Sequence, residues 1–164
     1  MRLADLANLP GYLVLACRSQ LEDRQWWQEL PLPIAIVVDA TGRDNKRGPF
    51  RYPPEHQCQK LAVPVYWSDG RQARLEQALP AVLKALSENK AVAPHCNETY
   101  HRGPVLAAII LSQYCQIPYW DAVWHISKYR YIDIGHTDPR WCELRWRSHL
   151  GLSECSRYPS YFRR

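Results

Sequence analysis

The feature that most constrains the fold is the run over residues 33–39, which is apolar and rich in β-branched side chains as far as its final aspartate. Side chains alternate between the two faces of a strand, so a run without polar alternation is apolar on both faces. Such a strand needs cover on both sides and is typical of the centre of a parallel sheet. We therefore predict an α/β fold in which helices flank a central, mostly parallel sheet of four to five strands.

The other predicted elements alternate in the same way. Apolar patterning predicts further strands over residues 11–17, 60–66 and 91–95, and helices over residues 20–30, 71–89, 118–129 and 138–150, with one more beginning near Pro104. Ser19 is the expected N-cap of the first helix. Pro80 interrupts the 71–89 pattern, so we expect a kink there or a helix that starts near Gln77. We predict a single domain over residues 1–164, with a core over about residues 9–150 and an irregular basic tail over residues 151–164.

Composition narrows the partners and the compartment. The net charge of +5 favours anionic partners of some kind. Asp5 comes early, and no apolar run in the chain is long enough to cross a bilayer. We therefore expect no signal peptide and no membrane span, and a cytoplasmic protein whose six cysteines are reduced. The oligomeric state is not indicated.

One stretch concentrates the chemistry, and we call it the cysteine loop. It comprises residues 95–103, namely His95, Cys96, Asn97, Glu98, Thr99, Tyr100, His101, Arg102 and Gly103. A predicted strand leads into it and a strongly apolar predicted helix leads out. The first N–H groups of a helix have no partner within the helix, and the helix dipole is positive there, so this geometry collects anions. Cys96 would face such an anion as a thiolate, and Arg102 would bind it with a bidentate guanidinium.

The pattern of His95, Cys96, five further residues and Arg102 resembles the signature of the cysteine-dependent protein tyrosine phosphatase superfamily, especially its dual-specificity type. The order of predicted elements over about residues 9–150 is similar as well. The resemblance implies that Cys96 attacks phosphorus to form a phosphocysteine, that Arg102 holds the phosphate oxygens, and that His95 supports the loop. Asp69, in a turn after the third predicted strand, resembles the general acid. The remaining loop residues would contact the substrate, and neither a metal nor a cofactor would be needed.

The cysteine loop departs from the family pattern at Thr99 and Gly103, and its Glu98 adds a negative charge. The family usually has glycine where this chain has Thr99, a β-branched residue for which a positive φ is unfavourable. Gly103 stands where a serine or threonine is common, and Glu98 places a carboxylate beside the anion site. Three functions therefore stay open. They are a phosphatase, most simply on phosphoprotein Tyr, Ser or Thr; an inactive module that binds a phosphorylated or anionic partner; and a phosphatase acting on RNA 5′ ends or phosphoinositides.

Several of these assignments also have an ordinary structural explanation. Asp69 before a glycine is also an ordinary turn residue, and the basic loop over residues 41–56 is either solvated or a rim that attracts an anionic substrate. A zinc site on Cys142, His149, Cys155 and His136 is not favoured, because no closely spaced cysteine pair anchors it. Nucleic-acid binding through the aromatic and arginine-rich C-terminal region is possible, but helix packing explains those aromatic residues more simply.

Overall fold

The computed structural model describes residues 12–41, 47–63, 71–98 and 102–128. Four strands form one sheet: β1 (Tyr12–Leu13), β2 (Ile34–Asp39), β3 (Gln59–Ala62) and β4 (Ala91–His95). The helices are α1 (Arg18–Leu21), α2 (Arg24–Gln28), α3 (Arg71–Ser87), α4 (Arg102–Cys115) and α5 (Tyr119–Ser127).

The sheet has the order β1-β4-β2-β3, and every pairing in it is parallel. The predicted α/β class, with a parallel sheet between helices, is therefore confirmed. β2 and β4 occupy the centre, as the doubly apolar sequence of β2 requires. β3 lies at an edge and is largely exposed.

Helices and loop segments cover the two faces of the sheet separately. On one face, α3, α4 and α5 pack over the side chains of Ile36, Val38 and Val92. On the other face, α1, α2 and residues 47–58, which we call the covering segment, pack over Val37 and Ala93. None of the described helices is long and apolar enough to span a bilayer.

The predicted boundaries are wrong at the N-terminal end. β1 ends at Leu13, with one further bond from the Val14 N–H to the carbonyl oxygen of Val92 at 2.9 Å. It does not reach Cys17, which is the N-cap of α1 and whose N–H donates to Gln20 Oε1 at 3.0 Å. The single helix expected over residues 20–30 with Ser19 as its cap is also wrong. It is two short helices, because Asp23 caps α2 by accepting a hydrogen bond from the Gln25 N–H at 3.0 Å.

Two further expectations concern helices that contain proline. α3 begins at Arg71, so the alternative start near Gln77 is wrong, and Pro80 lies inside the helix with its side chain exposed. α4 begins at Arg102, which puts Pro104 in its first turn, where a missing N–H breaks no helical hydrogen bond. The predicted helix over residues 138–150 and the tail over residues 151–164 lie outside the described residues.

Candidate active site

The carboxyl edge of the sheet brings together two of the residues predicted for the site, Cys96 and Arg102. Cys96 directly follows β4, a central strand, and is only 3% exposed. Arg102 is the first residue of α4, and its Nη1 donates to the carbonyl oxygen of Thr41 at 3.1 Å. Since Thr41 comes two residues after β2, this bond places Arg102 at the edge where β2 and β4 end. Parallel strands of α/β proteins present their ligand sites at this edge.

The first turn of α4 has the charge that an anion-binding helix end would need. α4 is a helix of 14 residues whose first turn contains Arg102 and the buried Gly103. Arg102 is half-buried, and no acidic residue lies in the first turn. A helix start with an arginine and no carboxylate favours an anion through both the N–H groups and the dipole.

The His95 side chain lies on the face of the sheet opposite to α4. This side chain is fully buried, its ring meets Phe50 edge-on at a centroid distance of 4.5 Å, and its Nε2 lies 2.7 Å from the hydroxyl of Tyr52. Burial lowers the pKa of His95 to about 4, against an opposing effect of the Asp39 carboxylate. Burial also raises the pKa of Tyr52, with a further contribution from Asp39. Both partners of this hydrogen bond are therefore uncharged at neutral pH.

The covering segment is held in place by Arg18 as well as by aromatic packing. The Arg18 guanidinium donates to the carbonyl oxygens of Gly48 at 3.1 Å and Pro49 at 2.7 Å and lies over the Phe50 ring. The backbone N–H of Arg18 donates to the carbonyl oxygen of Asn97 at 2.8 Å. One residue thus ties the covering segment to the cysteine loop.

The Glu98 carboxylate takes part in a surface ion pair. Its Oε1 pairs with Arg47 Nη1 at 2.5 Å, and both side chains are more than half exposed. The ion pair partly neutralises the carboxylate at the rim of the site. Arg47 is one of the basic residues predicted either to be solvated or to form an anion-attracting rim. The ion pair gives Arg47 a partner within the same chain.

Several predicted site residues lie outside the described part of the chain. These are Asp69, Thr99, Tyr100 and His101, together with the four residues weighed as zinc ligands, Cys142, His149, Cys155 and His136. Within residues 12–41, 47–63, 71–98 and 102–128, no group of three or more His, Cys, Asp or Glu side chains could hold a metal ion. The four cysteines described there, Cys17, Cys58, Cys96 and Cys115, form no disulfide.

Sequence reasoning missed Thr41, Tyr52 and Arg18 as supports of the site. Tyr52 and Thr41 reach it across 43 and 61 positions of the chain, and no local pattern marks such contacts. A usable signal did exist for Asp39 and Thr41. They end the strand predicted to be central, and residues at the carboxyl ends of parallel strands are where functional side chains collect.

Searches against models of protein families and against curated proteins find no match. Solved structures do match. A variant of human DUSP28 superposes with a TM-score of 0.65 at 16% identity, covering 85% of this chain and 90% of that one. Tk-PTP in its active form gives 0.59 at 14%, covering 84% and 93%, and PTPMT1 gives 0.56 at 16%, covering 72% and 78%. Identities this low establish a shared fold and nothing finer. The protein therefore has the fold of the cysteine-dependent protein tyrosine phosphatase superfamily, in its dual-specificity phosphatase-like form.

Proposed function

We propose that the protein is a cysteine-dependent phosphatase that hydrolyses phosphate monoesters through a phosphocysteine at Cys96. The observation that carries the proposal is the placement of Cys96 and Arg102 at one edge of the sheet, the cysteine after a central strand and the arginine at a helix start. A nucleophilic thiol beside a positive helix end and a guanidinium suits attack on a phosphate group.

The proposed reaction has two steps. The Cys96 thiolate attacks phosphorus, the ester P–O bond breaks, and Asp69 protonates the departing oxygen. The Asp69 carboxylate then takes a proton from water, which attacks phosphorus, breaks the S–P bond and releases inorganic phosphate with the thiolate restored. Arg102 and backbone N–H groups of residues 97–103 hold the phosphate oxygens in both steps.

The nucleophile is tested with p-nitrophenyl phosphate. We expect Cys96→Ser to reduce turnover to the background rate, because a serine hydroxyl without a general base is a weak nucleophile. Cys115→Ala is the matched control. It removes another buried thiol at the far end of α4, about 20 Å along the helix from Arg102. Turnover that survives Cys96→Ser, or that is lost equally in Cys115→Ala, contradicts the proposal.

The general acid is tested by changing the leaving group. Asp69→Asn should slow hydrolysis of an alkyl phosphate by about 10²- to 10⁴-fold, the usual contribution of general acid catalysis. p-Nitrophenol leaves readily without a proton, so its phosphate should be affected much less. Equal losses on the two substrates would show that Asp69 does not protonate the leaving oxygen.

For the substrate we propose a phosphoprotein, with phosphoinositides as the principal competitor. PTPMT1, whose fold is similar at a TM-score of 0.55, was solved in complex with PI(5)P. Initial rates on phosphotyrosine, phosphoserine and phosphothreonine peptides, soluble phosphoinositides and 5′-phosphorylated RNA rank the three classes. A wild-type protein that turns over none of them yet binds tungstate would be an inactive anion-binding module.

A further inference from the structure

A turn at the end of β2 contains Thr41, the residue whose carbonyl oxygen accepts the hydrogen bond from Arg102. One oxygen of Asp39, Oδ1, accepts two hydrogen bonds from Thr41: from its backbone N–H at 2.8 Å and from its hydroxyl at 2.6 Å. The side chain of an aspartate thereby closes a tight turn over Ala40. Thr41 is only 3% exposed, so water competes little with either bond.

The neighbouring strands fix the backbone of this turn. The N–H of Ala40 donates to the carbonyl oxygen of His95 at 2.9 Å, and the N–H of Val63 donates to the carbonyl oxygen of Asp39 at 2.8 Å. The turn is therefore tied to β4 on one side and to the residue after β3 on the other. Because the backbone of the turn is fixed, the carbonyl group of Thr41 has a defined direction.

The carbonyl oxygen of Thr41 accepts the hydrogen bond from Arg102 Nη1. A guanidinium is planar, and its use as a two-pronged donor to phosphate depends on the orientation of that plane. An arginine side chain oriented before the anion arrives loses less conformational freedom on binding. The Thr41 carbonyl supplies such an orientation.

We propose that Asp39 and Thr41 are positioning residues that orient Arg102 for oxyanion binding. The inference rests on one part of the proposed function, the role of Arg102 in holding the phosphate oxygens. Neither residue touches the substrate in this proposal. Each acts through the turn and its carbonyl.

Tungstate affinity, measured by calorimetry on the full chain, tests the proposal without any need for turnover. Asp39→Ala removes the acceptor of both turn bonds and should weaken tungstate binding about tenfold, the effect of losing the one hydrogen bond that orients Arg102. Asp39→Asn keeps an acceptor oxygen and should stay within about threefold of wild type by the same measure. Thr41→Val and Thr41→Ser form a second pair, in which the valine loses the hydroxyl bond and the serine keeps it.

The decisive measurement places the same changes in an Arg102→Lys background. A lysine is a point charge without a plane to orient, so Asp39→Ala should have no further effect there. The proposal would be overturned if the loss of tungstate affinity caused by Asp39→Ala added in full to the loss caused by Arg102→Lys. The turn would then act on stability or on another group. Equal affinities for Asp39→Ala and Asp39→Asn, or a wild type that does not bind tungstate, would overturn the proposal too.

The two proposals fail separately. A protein that shows the tungstate coupling but no Cys96-dependent turnover keeps the positioning role and loses the phosphatase function. Cys96-dependent turnover together with additive losses of tungstate affinity would keep the phosphatase function and exclude the positioning role.

Discussion

His95 and Cys96 are neighbours in the chain but serve different faces of the sheet. His95 contacts Phe50 and Tyr52 of the covering segment, whereas Cys96 belongs to the core beneath α3 and α4. The alternation of side chains along a strand produces this division. Cys96 can therefore pack on the side of α3 and α4 while its neighbour contacts the opposite layer.

Removing the Tyr52 hydroxyl tests this anchor. Tyr52→Phe leaves the buried Nε2 of His95 without its partner, so we expect a loss of about 1 to 3 kcal/mol in the free energy of unfolding. Tyr114→Phe, at a half-buried position on α4, is the control and should change stability by less than about 0.5 kcal/mol. Urea denaturation compares the two, and equal stabilities would show that the Tyr52–His95 bond contributes nothing.

At the level of elements, α3 carries an internal conflict between packing and backbone geometry. Its buried residues, among them Leu75, Leu79 and Val82, recur at helical spacing, and this burial holds the helix together. Pro80, by contrast, lies ten residues into the helix, where it lacks an N–H to donate to Glu76. Because its side chain is exposed, nothing in the packing requires it there.

Pro80→Ala should therefore stabilise the protein. An interior proline costs about 3 kcal/mol, and the gain is reduced by up to about 1 kcal/mol because alanine leaves the unfolded chain more freedom. We expect a net increase of about 2 kcal/mol, measured as a higher urea midpoint with an unchanged slope. The exposed Gln77→Ala is the control, and a Pro80→Ala protein no more stable than this control would contradict the argument.

The predictability of the elements follows from where their information lies. β2, β4, α3 and α5 were predicted closely, because their apolar patterns are local and long. α1 and α2 were not, because two caps only six residues apart, Cys17 and Asp23, decide them. The spacing of Cys96 and Arg102 is likewise local, and it indicated the candidate site. The contacts of Thr41 with Arg102 and of Tyr52 with His95 depend on a tertiary arrangement that no single segment encodes.

For the molecule as a whole, the buried His95 makes the free energy of unfolding depend on pH. An unfolded histidine titrates near pH 6.5, and burial lowers the pKa of His95 to about 4. As the pH falls below about 6.5, the unfolded chain takes up a proton that the folded chain does not, so folding becomes less favourable. The loss continues down to about pH 4, where the folded protein is protonated as well.

We therefore expect the thermal midpoint to fall between about pH 6.5 and pH 4, with the full contribution of His95 present above that range. His95→Gln lowers stability throughout but should show a flatter dependence on pH, while His125→Gln should keep most of the wild-type slope. Thermal unfolding followed by circular dichroism at pH 4, 5, 6 and 7 measures the slopes. Identical slopes for wild type and His95→Gln would exclude His95 as the group responsible.

The contact between His95 and the covering segment also limits how this protein can be recombined with others. A loop that carried its own supporting contacts could be exchanged between proteins of this fold as one unit. In the cysteine loop here, His95 contacts Phe50 and Tyr52, which lie more than 40 positions upstream. The carbonyl oxygen of Asn97 accepts a hydrogen bond from the N–H of Arg18, still earlier in the chain. A chimera that transfers the cysteine loop alone would leave an imidazole buried against foreign side chains, so the smallest exchangeable unit is the loop together with α1 and the covering segment.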